Sequence, residues 1–140
     1  MAAASNYLEN MIVNSVLRGV AFTVPSAVFV ALHTGDPGEV GTANEISTGA
    51  WPAYVRLNSA QGDTLANAWS APVDGLSKNQ KQLIWPVHDG AADVTITHFS
   101  LRDAATGGNV LAKAQLASSR TLQPGDVFVA NVDRLEVQVL

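Results

Sequence analysis

The chain has 140 residues, room for one domain of ordinary size, and a single domain over 1–140 is expected, with a helical arm at 1–20 and a β-sandwich at 21–140. No cysteine is present, which excludes disulfides, thiolate metal sites and cysteine nucleophiles. The net charge is −4, and the eight basic residues stand almost singly from Arg18 to Arg134, so no basic footprint for nucleic acid exists.

The first element reads as a helix. Ser5 or Asn6 can cap it, and Asn6 with Glu9 has the spacing of a capping box. Leu8, Met11 or Ile12, Ser15 or Val16, and Val20 fall near one face. Arg18 suits the C-terminal end of the dipole, and Gly19 supplies a left-handed stop. A helix of three to four turns cannot complete a sandwich, so it is expected to cover a sheet edge or pack on a partner. The start carries Glu9 and no basic run, unlike an export signal. The longest apolar stretch, Val24 to Leu32, is interrupted by Pro25 and Ser26 and falls far short of the about 20 residues of a membrane span.

After Pro25 the period changes to two. Val28, Val30 and Leu32 point one way and Phe29, Ala31 and His33 the other, so a strand buried on both faces is expected. Thr34-Gly35-Asp36-Pro37-Gly38 breaks it. Short strands are then predicted over Ala53–Asn58, Ala66–Val73, Gln82–Val87, Val94–Arg102, Asn109–Leu116, Val127–Val132 and Leu135–Leu140. In Val94–Arg102, Val94, Ile96, His98, Ser100 and Arg102 should share one face. About eight strands between Gly, Pro, Asn and Asp turns imply a mostly β fold, an antiparallel jelly-roll-like sandwich with a short N-terminal helix.

Few residues suggest chemistry. His33, Asp36, Glu39 and Glu45 could supply nitrogen and oxygen ligands, but their spacing matches no metal motif and Asp36-Pro37 is better read as a turn. His88, Asp89 and Asp93 lack a serine on a strand-turn-helix elbow. His98, mid-strand, reads as a packed histidine, and Gly107-Gly108 as a hairpin turn without the lysine of a phosphate loop. Trp51, Trp69 and Trp85 suit a two-sheet core or an interface, and Trp51, beside Pro52, is the one expected to be exposed. No catalytic, cofactor or metal residue is assigned.

The order of local signals resembles a family of short tailed-bacteriophage virion proteins, described as head decoration, cement or tail-fibre-like. The resemblance rests on Ser5-Asn6-Tyr7-Leu8-Glu9-Asn10, on Ala31-Leu32-His33-Thr34-Gly35-Asp36-Pro37-Gly38-Glu39, on Asn44-Glu45-Ile46 and Tyr54-Val55-Arg56, on Val94–Phe99, on Leu101–Asn109 and on Pro124-Gly125-Asp126. It implies a non-enzymatic capsid cement subunit on the outer surface of the phage head, made in the host cytoplasm. Its implied partners are the major capsid protein and copies of itself, a dimer ahead of a trimer, with no nucleic acid, membrane or cofactor. Tyr7, Leu8, Met11, Ile12, Trp51 and Tyr54 are the expected contact residues. The alternative is a tail appendage that binds receptor glycans.

Overall fold

The computed structural model describes residues 3–139. In chain order the elements are β1 (Ala3–Ala4), α1 (Asn6–Arg18), β2 (Phe29–His33), β3 (Leu57–Asn58), a 3-10 turn (Leu65–Asn67), β4 (Leu76–Lys78), β5 (Leu83–Ile84), β6 (Val94–Arg102), β7 (Val110–Leu122), β8 (Val129–Ala130) and β9 (Glu136–Gln138). Five strands form the main sheet in the order β1-β7-β6-β2-β3, while β4 pairs with β9 and β5 with β8, all antiparallel. The protein is mostly β with one helix among the described residues, as the sequence pattern predicts. The distribution of five, two and two strands is consistent with the jelly-roll-like expectation.

The two faces of the main sheet have different covers. Val30 and Leu32 of β2 lie opposite Leu101 and Phe99 of β6, and these four enter a core shared with Trp51, Leu83, Trp85 and Leu135. On the other face Ala31 lies opposite Ser100, and Phe29 opposite Arg102. That face is closed by the loop from Thr34 to Ile46, whose ends return to β2 through Thr34 N–H to Asn44 O (2.9 Å) and Ile46 N–H to Leu32 O (3.0 Å). Burial of β2 on both sides is therefore achieved with a polar second face, under a loop.

The inward set of β6 differs from the simple alternation. A register shift between Ile96 and His98 leaves residues 116–119 of β7 without a matching length of β6. The shift moves the core side from even to odd positions: Val94, Ile96, Phe99 and Leu101 are buried in the core, and His98 is half-buried outside it.

Three local predictions are corrected. Ala66–Val73 is no strand: Asp63 accepts from Thr64 N–H (2.7 Å) and Asn67 Nδ2 (3.2 Å), which holds a 3-10 turn over Leu65–Asn67, and only bridges at Trp69 and Val73 follow. The capping box is replaced by Ser5 alone, whose Oγ accepts Leu8 N–H at 3.2 Å. Its hydroxyl also donates to Val110 O, and Ser5 N–H donates to Leu111 O (3.0 Å), so the cap is sewn to β7. The exposed Trp51 is the third error. Turns at Ser47–Trp51 and Trp51–Tyr54 fold it inward, to 0% exposure.

Candidate assembly surface

Of the polar residues singled out in the sequence, His33 and Glu45 join Ser100, Arg102, Arg56 and Tyr54 in a structural clamp. His33 and Ser100 are each 0% exposed. His33 Nδ1 donates to Ala43 O at 2.7 Å, which leaves Nε2 to accept from the Ser100 hydroxyl at 2.8 Å. Ser100 Oγ in turn accepts from Arg102 Nε (3.1 Å), and Arg102 donates to Gly41 O (2.8 Å). Glu45 binds Arg56 in a two-pronged pair, Nε to Oε1 at 2.7 Å and Nη2 to Oε2 at 2.8 Å. Arg56 also holds Ala104 O (3.1 Å) and Gly107 O (2.8 Å) of the β6–β7 hairpin. Tyr54 O–H donates to Glu45 (3.2 Å) and accepts Leu32 N–H (2.9 Å).

Electrostatics follow this geometry. Desolvation holds the His33 imidazole below its ordinary value, against the opposing Ala43 bond and Glu45 charge. Burial pushes the Glu45 carboxyl up, but the hydrogen bonds and charge of Arg56, with Arg102 behind them, outweigh it and keep Glu45 low. Ser100 and His33 have the contact of a nucleophile and base. However, both lie under the loop and the serine oxygen is already engaged by Arg102, so no substrate atom can approach.

The other candidates are also structural. Asp36 accepts from Gly38 N–H (2.8 Å) and Lys113 Nζ (3.2 Å), as its turn role predicts. Glu39 stands 3.8 Å from Lys113. His88 is buried, with Nε2 on Ala92 O (2.8 Å) and Nδ1 accepting Gly90 N–H (3.3 Å), and its ring meets Trp51 edge-on at 5.4 Å. Asp89 accepts Ala53 N–H (2.9 Å). His98 Nδ1 bonds Thr97 Oγ1 (2.7 Å). Gly107 and Gly108, with positive φ, turn the hairpin that Asp103 closes on Asn109. Among the described residues no group of three or more His, Cys, Asp or Glu is arranged to hold a metal.

Of the expected contact residues, Trp51 and Tyr54 are buried and present no area to a partner. Trp51 Nε1 is occupied by Val87 O at 3.1 Å. Trp85 is also buried and Trp69 is half-buried, its Nε1 on Ser59 Oγ (3.1 Å), so all three tryptophans serve the core or pack against it. Leu8 and Met11 are half-buried, whereas Tyr7 and Ile12 are exposed.

The helix carries the anomaly. Its half-buried residues are Leu8, Met11, Asn14 and Ser15, a single stripe at helical spacing. The opposite side holds Ile12, Val13, Val16 and Leu17, with Val16 75% and Leu17 76% exposed. The apolar stripe predicted from Leu8 to Val20 is thus split, and the more apolar face of α1 points outward. Beyond Gly19 the surface continues through Val20, Phe22 and Val24, all exposed. These seven side chains offer roughly 600 Å² of apolar surface, at the upper end of the about 300–600 Å² patch found on monomeric proteins. Of these seven exposed apolar residues only Ile12 stands among the contact residues expected from the sequence; Val13, Val16, Leu17, Val20, Phe22 and Val24 do not. Their signal was an excess of apolar residues around the helix, followed by a Val-x-Phe-x-Val alternation.

The described residues thus form a mostly β fold with a sealed polar clamp and an exposed apolar flank along α1 and Val20–Val24. Residues 3–138 match the model of the family described as Podophage GP4 fiber I protein gp80, and the chain belongs to that family; it is a phage structural protein. No curated protein matches it.

Proposed function

We propose that the protein is a non-enzymatic subunit of the virion exterior that works by adhesion, its outward α1 face and the Val20–Val24 segment being covered in the assembled particle. The observation that carries this reading is the inverted helix: an isolated soluble subunit would turn Val16 and Leu17 inward and Asn14 and Ser15 outward. A capsid cement protein is the first form of the reading. It draws on the resemblance of the sequence to capsid cement proteins, that of a Bordetella phage in particular. Such a subunit on the outside of the head would brace the major capsid protein lattice, many weak contacts in a closed shell acting together. The family's description as a fiber protein favours a second form, a fibre or tail appendage, which needs the same adhesive flank.

The adhesive reading is tested by placing carboxylates at Val16 and Leu17 together (Val16→Glu, Leu17→Glu). Both sites are largely exposed, so folding should hold, while occupancy on particles should fall more than about tenfold, the effect of roughly 1.4 kcal/mol. Unchanged occupancy would refute it. Copy number then separates the two forms: hundreds of copies on tailless heads support cement, and a small number that leaves with detached appendages supports the fibre.

A further inference from the structure

We propose that the loop from Thr34 to Ile46 is a lid latched by neutral His33, which lifts off the sheet when His33 takes up a proton and loosens the seat of α1 as it goes. The lid belongs to the clamp and is independent of the adhesive reading.

Polar bonds hold the lid down. From Thr34 to Glu45 only Pro37 and Gly41 are buried, so little apolar surface anchors it, as in segments that open locally. Its ties to the sheet include His33 Nδ1 to Ala43 O (2.7 Å), Arg102 Nη2 to Gly41 O (2.8 Å) and Lys113 Nζ to Asp36 Oδ1 (3.2 Å). The Glu45 pair with Arg56 and the Ile46 N–H bond to Leu32 O close its far end.

His33 fits this site only when uncharged. Both ring nitrogens are engaged, and Nε2 accepts from the Ser100 hydroxyl. A proton on Nε2 turns that acceptor into a donor. Ser100 Oγ already accepts from Arg102 Nε, so it would receive two N–H groups while its own proton lost its acceptor, at 0% exposure. Charge opposes the proton as well. His33 is faced by Glu45 of the lid and by His98 and Arg102 of β6. Tyr54 and Arg56 hold Glu45 from behind, and Lys113 of β7, opposite Ser100, is held by Asp36. Glu45 is already shared by Arg56 and Arg102, so a third cation beside it stays uncompensated until water enters.

Opening reaches α1 through Val110. Gly41 lies so close that a Cβ there would meet Val110 Cγ1 at 2.4 Å. Val110 O in turn receives the hydroxyl of Ser5, whose Oγ caps the helix at Leu8 N–H.

Amide exchange of the full chain, expressed as protection relative to the intrinsic rate at each pH, tests the lid. An open lid gives His33 the ordinary imidazole value of about 6.5, and burial in the closed lid holds it lower. Closure is therefore favoured above that value and is lost as pH falls below it. From about pH 7.5 to about 5.5 the opening constant should rise about tenfold. Thr34, Ala43 and Ile46 N–H should lose protection by that factor, and Leu8 N–H should follow. Leu76 N–H, held by Val73 O in a separate hairpin, should change less than about twofold. A change below about twofold at the lid amides overturns the latch. Lid amides protected as strongly as the core Trp85 N–H, which donates to Phe128 O, open only with the whole fold and overturn the lid. His33→Gln should abolish the pH response and His98→Gln should keep it; the reverse result overturns His33 as the latch. Where His33→Gln does not fold, the unmodified chain and His98→Gln still decide. Of the three histidines, His88 is bonded to Ala92 O in another loop, and carboxylates ordinarily titrate near about 4, below this window. A Leu8 N–H that keeps its protection while the lid opens overturns the link to α1.

Discussion

Glu45 joins the loop, the main sheet and the β6–β7 hairpin through one carboxylate, because Arg56 and Arg102 converge on it. Removing it leaves Arg102, 2% exposed, with its charge uncompensated. Charge-assisted hydrogen bonds are each worth about 1.5–3 kcal/mol, so Glu45→Ala should lower unfolding stability by about 2–3 kcal/mol in urea titrations, after allowance for the partial exposure of the pair. The same clamp makes the fold sensitive to acid. The folded His33 binds protons less readily than the unfolded one, so its contribution is complete above about 6.5 and declines as pH falls below that value. Glu45 contributes fully above its unfolded value of 4.5, and this is lost as pH drops through its lower folded value. Thermal melts should thus show Tm falling first below about pH 6.5 and again below about pH 4.5. His33→Gln should lack the first step; a flat Tm between pH 7 and 5 in the unmodified protein would contradict this assignment. Trp85 makes the opposite point. Its buried Nε1 has no partner among the described residues, whereas Trp51 donates to Val87 O. Trp85→Phe should accordingly cost less stability than Trp51→Phe, by about 1 kcal/mol.

At the scale of elements, α1 is held by its beginning. Ser5 caps the helix, donates to Val110 O and follows β1, which pairs with β7 at Ala3 and Ala4. Ser5→Ala should cost about 1–2 kcal/mol and speed amide exchange in the first turn of α1 before any strand responds. Deleting residues 1–19 would strip the edge of β7 along with the helix, so point charges on the outward face separate adhesion from folding more cleanly. Gly41 is fixed by contact as well as by its φ of +74°: a Cβ there would meet Val110 Cγ1 at 2.4 Å. Gly41→Ala should therefore lift the loop off Arg102 and cost about 1–3 kcal/mol, visible as a lower Tm. The sequence made the helix bounds, the doubly buried β2 and the span of β6 legible, because each depends on local period and punctuation. It concealed the inward set of β6, because the shift at Ile96–His98 depends on how much of β7 is left unpaired. The clamp was visible only as separate polar residues: His33 and Ser100 are 67 positions apart, and a loop had to close over the sheet to make them partners. Trp51-Pro52 read as an exposed corner for the same reason, since the Ser47–Tyr54 turns reverse it into the core.

For the whole molecule, the chemistry of the outer flank dictates how it should respond to solvent. The seven apolar side chains from Ile12 to Val24 have Glu9 and Arg18 as their nearest charges in sequence, and Arg18 is engaged by Asn14 Oδ1 at 2.8 Å. An interface of this composition gains its free energy by removing apolar surface from water, about 25 cal/mol per Å² before the losses of association are subtracted. Charge steering contributes little to it. Raising NaCl from about 0.1 to about 1 M shortens the screening length from about 10 to about 3 Å, which would cripple an attachment built on ion pairs. Here occupancy on particles should change less than about twofold over that range, and sodium sulfate, excluded from protein surface, should strengthen binding. Calorimetry of the association should give a negative heat-capacity change that shrinks in Val16→Glu. A tenfold loss of occupancy in high salt would instead place the attachment on charged groups such as Asp36, Glu39 and Lys113, and adhesion through the helix face would be refuted.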